Sequence, residues 1–427
     1  MKLKKLAALI ALAGLSGSAF ATNGYFSHGV GMKAKGMAGV GIALPQDSLA
    51  AGTNPAGMVL VGDRLDVGID WFSPDRHAEI VGNNMGPAGS LDGRYSGNGM
   101  DNFLIPEFGY NKMLGWDMAV GISMYGNGGM NTHYNRSPFA AAGLGFFGGT
   151  NPGGVNLSQL FITPTFAMRI NKQHSLGVSI VIAHQRFAAD GLQAFDNPGF
   201  TAYPGKVTNR GGYAKDTNVG LRLGWNWQVN EALTLGATYA SKIDGQFSEY
   251  KGLFAGKGGF DIPENYGIGI AYKATPKLTL AADIQQINFS KTNSVGNKVD
   301  CLFVGACQLG NNNGAGFGWD DVTAYKFGAS YEYSPELTFR AGFSTTDQPI
   351  PKSQTFFNIL APAVVEDHLT LGGTWTLANK NELTVGYMHA FEKKVKGSGS
   401  IPAMLGGGEA NLKMSEDSFG IAYGIKF

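Results

Sequence analysis

Arg222, Lys326 and Arg340 stand alone among small and apolar residues, in the runs VGLRLG, YKFG and FRAG. A cation so placed can bind a carboxylate end through charge-assisted hydrogen bonds. It can equally neutralise Asp283 or Glu332, because buried charges pair. Catalysis fits poorly. The seven histidines are scattered and no G-x-S-x-G occurs, so no nucleophile with its base is marked out. Cys301 and Cys307 lie close together, and in an oxidising compartment a disulfide is the expected state. No histidine is near them to suggest a metal pair, and no nucleotide-binding signature is present, so no metal or other cofactor is expected.

The elements that must position these cations are recognised by their period. About fourteen segments alternate strictly. Leu65, Val67, Ile69 and Trp71 alternate with Asp66, Gly68, Asp70 and Phe72; Trp116, Met118, Val120, Ile122 and Met124 alternate with Asp117, Ala119, Gly121, Ser123 and Tyr125. The series ends with Phe419, Ile421, Tyr423, Ile425 and Phe427. Period 2 puts each apolar set on one face of a strand. The other face holds Gly, Ala, Ser and Thr with isolated charges, namely Glu107, Asp117, Arg169, Arg222, Asp283, Lys326, Glu332 and Arg340. Large residues with Tyr and Trp toward the strand ends match the girdled lipid face of a membrane barrel. The small and charged face is therefore assigned to a lumen.

Connection lengths give the same reading. Six tight turns, near 113–114, 171–172, 230–231, 275–276, 334–335 and 379–380, separate seven long loops. The loops are roughly 73–102, 126–158, 190–212, 244–264, 289–321, 348–365 and 394–415. That yields an all-β, fourteen-stranded antiparallel barrel with both chain ends on one side, the pattern of bacterial outer-membrane barrels. Bulk composition agrees. Charged residues are only 15% and glycines number 64, against usual values near a quarter and about 7%. After the first 21 residues no apolar run reaches 18, which excludes helical spans. Setting aside Lys2, Lys4 and Lys5 from 33 basic residues leaves 30 against 32 acidic, a balance that gives no reason to expect nucleic acid.

Two further segments stand apart. Residues 1–21 have a basic start, an apolar run from Leu6 to Leu15 and Ala19-Phe20-Ala21, a secretory leader that predicts a mature start at Thr22. Thr22–Val61 carries eight glycines between Gly24 and Gly57 yet also Tyr25, Phe26, Met32, Met37, Ile42, Leu44 and Met58. No ordinary helix or strand fits that glycine content without cost. A fourteen-stranded barrel is too wide for its own side chains to fill, so this segment has the size and character of a plug, with the barrel in 62–427. The terminal Phe427 on an alternating strand fits an outer-membrane insertion signal read by the insertion machinery.

Leader, Gly-rich segment, Asn54-Pro55-Ala56 before the first strand, fourteen strands and terminal Phe together resemble the long-chain fatty-acid transporter (FadL) family of outer-membrane proteins, including its aromatic-hydrocarbon transport members. The resemblance implies passive uptake of hydrophobic molecules across the outer membrane of a Gram-negative bacterium, by a monomer amid lipid and lipopolysaccharide. It implies an N-terminal hatch marked by Asn54, Pro55 and Ala56. It implies an outer groove, for which Leu192, Phe195, Phe200, Tyr203, Leu253, Phe254 and Phe260 are candidates, with Phe139, Leu144, Phe146 and Phe147 as a rival cluster. It implies an inner pocket at Tyr25, Phe26 and His28, where Arg222, Lys326 and Arg340 can receive a carboxylate. Finally, it implies a sideways exit at an inward kink of the third strand, expected over Trp116–Tyr125. Gly121 or the cluster Gly126, Gly128 and Gly129 can supply the break, because glycine weakens a strand and tolerates bulges. A porin for polar solutes, a lipid hydrolase and an adhesin are the alternatives.

Overall fold

The computed structural model describes residues 23–141, 148–208 and 212–427. The expected leader, with its cleavage site before Thr22, lies outside the described residues. Fifteen strands form: β1 (Arg64–Val81), β2 (Gly93–Ser96), β3 (Phe103–Leu114), β4 (Met118–Tyr134), β5 (Gly153–Arg169), β6 (His174–Asp190), β7 (Ala214–Gln228), β8 (Leu233–Ala240), β9 (Asn265–Thr275), β10 (Leu278–Ile287), β11 (Val322–Glu332), β12 (Leu337–Thr346), β13 (Asp367–Thr376), β14 (Glu382–Val395) and β15 (Glu409–Lys426). β2 is a short ribbon clipped to the outer end of β1, from His77↔Ser96 to Ile80↔Gly93. The other fourteen pair antiparallel in chain order, and β15 returns to β1 from Arg64↔Lys426 to Val81↔Glu409. The wall is a closed fourteen-stranded antiparallel barrel with six tight turns at one end and seven long loops at the other.

Several strands run well past the ends that periodicity predicted. β1, β4, β5, β6 and β15 each span 17 or 18 residues, whereas a tilted strand crosses a bilayer core in about 9–11. The loops after β1, β4 and β14 are correspondingly shorter, at 82–102, 135–152 and 396–408. The reason is a change of phase. In the lower part of β1 the apolar set Leu65, Val67, Ile69 and Trp71 faces outward, and Trp71 is 40% exposed. From Phe72 upward Phe72, Pro74, Arg76, Ala78 and Ile80 are buried, while Asp75, His77 and Glu79 face out. β15 reverses likewise, with Ala410, Leu412 and Met414 buried above an outward Phe419, Ile421 and Tyr423. Below the switch the outside medium takes the large apolar side chains. Above it the long loops fold over the barrel mouth and make an ordinary apolar core inside. The third wall strand is β4, so Trp116 lies in the preceding turn, 70% exposed. Asp117 shares that turn, and Glu332 is exposed at the tight-turn end instead of facing the lumen.

Inside the wall lies Asn23–Val61. It holds one helical turn at Met32–Lys35 and short 3-10 turns at Ala50–Gly52 and Pro55–Leu60; otherwise its backbone is irregular. Facing glycines on adjacent strands make its seats. Gly328 and Gly342 are register partners on β11 and β12, and a Cβ on either would collide with Met37 or Ala38. Gly177 and Gly224, partners on β6 and β7, receive Asn54-Pro55 in the same way. Buried ion pairs add to the hold: Lys33 to Glu382 at 2.5 Å, and Lys35 to Asp70 at 2.8 Å.

Gly342→Leu should therefore push the hatch off its seat while the wall still forms. The expected loss is about 1–3 kcal/mol of overpacking strain. Heat-modified migration should still report a barrel, while added protease newly cuts within residues 23–61. A variant with unaltered protection would contradict the seating.

Candidate functional site

Above the hatch, the long loops enclose a narrow apolar cleft of about 40 Å³. Four expected residues line it: Leu192, Phe195, Leu253 and Phe254. Phe200 sits behind Phe195, ring centres 5.4 Å apart, and outside the lining. Tyr203 instead carries Lys251 over its face at 5.4 Å. Phe139 packs edge-on to Phe195 at 5.7 Å, so the rival cluster joins the same core through this residue; Leu144, Phe146 and Phe147 lie outside the described residues. The rest of the lining includes Phe187 on β6, Leu309 and Phe317 from the loop after β10, and Phe357 and Leu360 from the loop after β12. Sequence reasoning passed over these loop residues, although Phe356-Phe357 and Ile359-Leu360 are conspicuous apolar pairs in a polar loop.

Rings connect the cleft downward. Phe254 meets Phe260 at 4.9 Å, and Phe260 meets Tyr25 at 6.1 Å. On the other side Phe317 leads to Trp319 at 6.3 Å and Trp319 to Tyr25 at 5.9 Å. Tyr25 then touches Phe26 at 5.4 Å. Trp319 is held by donating its indole N–H to Asn358 Oδ1 at 2.6 Å. Cys301 and Cys307 are joined in a disulfide that closes the tip of the loop carrying Leu309 and Phe317.

Phe26 reaches a second, more polar cavity of about 40 Å³ between the hatch and β4, β7, β8, β9, β10 and β11. Arg222 and Lys326 line it with Asn127, Asp283 and Gln285. Both cations also serve the hatch. Arg222 donates to the Thr53 carbonyl at 3.2 Å, and Lys326 donates to the His28 carbonyl at 3.0 Å. Arg222 Nε and Asp283 Oδ1 have no hydrogen-bond partner among the described residues. Arg340 is elsewhere. It donates to Gln46 at 2.9 Å and Thr374 at 2.6 Å, which makes it a brace and takes it away from the cavity. His28 is turned aside as well, bonded to Ser344 Oγ at 2.9 Å with its ring 4.8 Å from that of His368. Burial, the His368 ring and the Lys326 ammonium together hold the His28 imidazole well below its ordinary range.

Beside this cavity the wall is interrupted. The β3–β4 ladder runs from Leu114↔Met118 up to Phe108↔Met124 and stops there. On β3, Phe103–Glu107 stay paired to β1 only among the described residues, and Pro106 within this stretch has no N–H to offer a neighbour. β4 carries a bulge between Gly126 and Gly128 in its register with β5. Its free edge turns to the hatch: Ser27 N–H donates to Asn127 O at 2.7 Å, Gly129 N–H donates to Tyr25 O at 3.0 Å, and Phe26 bridges Gly128. A Cβ at Gly128 would overlap the Tyr25 carbonyl. Gly121 belongs to the continuous ladder below and makes room for the Met58 methyl. Arg76 of β1 closes the top of the interruption, donating to Asn131 Oδ1 at 2.9 Å and to Met100 O at 2.5 Å.

Asn54-Pro55-Ala56 is a structural stop. The Asn54 side chain accepts from Ala56 N–H at 3.1 Å, capping the turn that Pro55 begins. It also donates to the carbonyls of Ile42 at 2.7 Å and Trp225 at 3.1 Å, which locks hatch to wall.

Comparison with known proteins follows the geometry. The family described as "Outer membrane protein transport protein (OMPP1/FadL/TodX)" matches residues 7–427. Outer membrane protein P1 of Haemophilus influenzae is 25% identical over 91% of this chain and 89% of its own. A Pseudomonas aeruginosa FadL homologue of known structure superposes with a TM-score of 0.69 at 18% identity, over 95% of this chain and 100% of that one. The Pseudomonas putida toluene transporter TodX gives 0.65 at 17%, over 95% and 100%. The Ralstonia pickettii toluene transporter TbuX gives 0.63 at 17%, over 94% and 99%.

Gly128→Val should break the hatch off the β4 edge while the barrel persists. Amide exchange at Ser27 and Gly129 should rise about five-fold, since each loses a backbone hydrogen bond worth roughly 1 kcal/mol. Exchange rates equal to the unaltered chain would show that the hatch end is held by something else.

Proposed function

This chain belongs to the outer-membrane transport family described as OMPP1/FadL/TodX, and from that membership we propose that it admits hydrophobic molecules, long-chain fatty acids or hydrocarbons, by passive diffusion. It is a transport channel of the outer membrane and not an enzyme. One observation carries the substrate class: a run of packed aromatic rings, Phe260, Tyr25 and Trp319, joins the apolar outer cleft to Phe26 at the inner cavity. A greasy molecule gains about 25 cal/mol for each Å² of apolar surface it keeps from water. It therefore has reason to pass along those rings and then to leave through the stretch where β3 and β4 part, directly into the bilayer.

The hatch is taken as 22–61 and the wall as 62–427, with 1–21 removed on export. The filled lumen supports the hydrophobic route over a polar-solute porin. Arg222 and Lys326 at the inner cavity support a carboxylate-ended chain, while the toluene transporters among the fold relatives support a neutral hydrocarbon. β15 pairs with β1, so one chain closes the wall by itself, which supports a monomer surrounded by lipid and lipopolysaccharide.

Labelled oleate and toluene, given side by side to cells lacking their own transporter, test the reading. The chain should speed the entry of at least one. If oleate enters, Arg222→Met should slow it about ten-fold through loss of a charge-assisted hydrogen bond, and Arg340→Met should not. Unchanged entry of both probes, with the barrel folded in the membrane, would contradict the proposal.

A further inference from the structure

Outward side chains of the wall are generously exposed at the height of the apolar band; Ile69 is 42% exposed, Leu104 52% and Phe166 39%. Phe108 and Met124 break this rule at 8% and 4%. Both point away from the lumen. Their neighbours Glu107 and Ser123 face inward, where Glu107 accepts from Met32 N–H at 3.0 Å and Ser123 donates to Ser48 O at 2.8 Å. Alternation then sends Phe108 and Met124 to the outer face. They are buried because Leu65, Val67, Tyr110, Leu160 and Ile162 close around them. The outer face of the wall is closed over here, with an aromatic ring and a thioether filling the dish.

The position of the dish matters. Phe108 and Met124 are register partners and form the uppermost rung of the β3–β4 ladder. Immediately above them β3 goes on without β4, and β4 turns inward to the hatch at the Asn127 bulge. Whatever leaves the inner cavity between these two strands passes over this rung as it meets lipid.

We propose that Phe108 and Met124 are the sill of the lateral exit and set the size of molecule that is released into the bilayer. The proposal rests on the sideways route argued above. The two side chains suit the task in different ways. Phe108 is a rigid plate, whereas Met124 is unbranched and can swing aside for a slender chain. A slender substrate slides over them with a single side-chain rotation. A fused-ring or branched one needs both to move together with their packed neighbours, which close-packed surroundings resist.

The test uses the full chain in cells without their own transporter, with oleate as the slender probe and a pyrene-tipped fatty acid as the bulky one. Phe108→Ala with Met124→Ala should raise the bulky-to-slender entry ratio about ten-fold, the scale on which one or two methylenes discriminate in an apolar passage. Met124→Trp, which keeps the dish filled, should lower it. Ile180→Ala with Leu221→Ala is the control: these register partners on β6 and β7 share the same outer face but lie outside the packing around the sill, and their loss should leave the ratio unchanged. An unaltered ratio in both sill variants, or an equal change in the control, would overturn the sill while leaving transport intact. Entry of neither probe through the unaltered chain would overturn the transport reading and the sill with it.

Discussion

An irregular backbone enclosed by a barrel must have its N–H and C=O groups met by the barrel, because no ladder of its own can satisfy them. Everything distinctive about the lumen follows from that need. Asp283 receives Gly41 and Ile42 N–H at 2.8 and 3.0 Å, Asp66 receives Ser48 N–H at 3.0 Å, and Thr370 receives Ala38 N–H at 2.8 Å. Thr238 and Ser175 donate to the carbonyls of Thr53 and Ala56 at 2.9 and 3.1 Å. The facing glycines let the two backbones come close enough for such bonds to form. Isolated inward charges that would be costly in an empty wall thus become the hatch's hydrogen-bond complement.

The same constraint shapes the passage. A hatch bonded all round its girth leaves no straight way down the barrel axis. One segment escapes the general rule: its first residues take their partners from the free edge of β4 rather than from inward side chains. β4 can offer that edge only because it has left β3. The wall's interruption and the hatch's attachment are therefore one event, centred on Asn127 and Gly128. Arg222 and Lys326 each hold a hatch carbonyl and border the cavity, so any ligand there acts on groups that also secure the plug.

Much of this was legible in the sequence. Strict alternation gave the strand set, and the turns and loops gave its direction, because a lipid face and a lumen face impose opposite demands on successive residues. The strand ends above the membrane were misread. From Phe72 in β1, and below Phe419 in the numbering of β15, the apolar phase reverses, so a search for one unbroken period stops short. Candidate cations were found by isolation, but isolation does not reveal distance. Arg340 looks like Arg222 in sequence and is bonded to Gln46 and Thr374 instead. Gly121 and Gly128 look alike too. Only register shows that one accommodates Met58 in a continuous ladder and the other meets Tyr25 across a broken one.

That the hatch seals the lumen against water-borne traffic is tested most directly by ion conductance. The purified chain and a version lacking residues 22–58 would be inserted into planar bilayers and compared. The intact chain should be nearly silent, and the shortened one should conduct steadily as a wide, open pore. Steady porin-like conductance from the intact chain, or silence from the shortened one with its barrel formed, would contradict the seal and with it the sideways route.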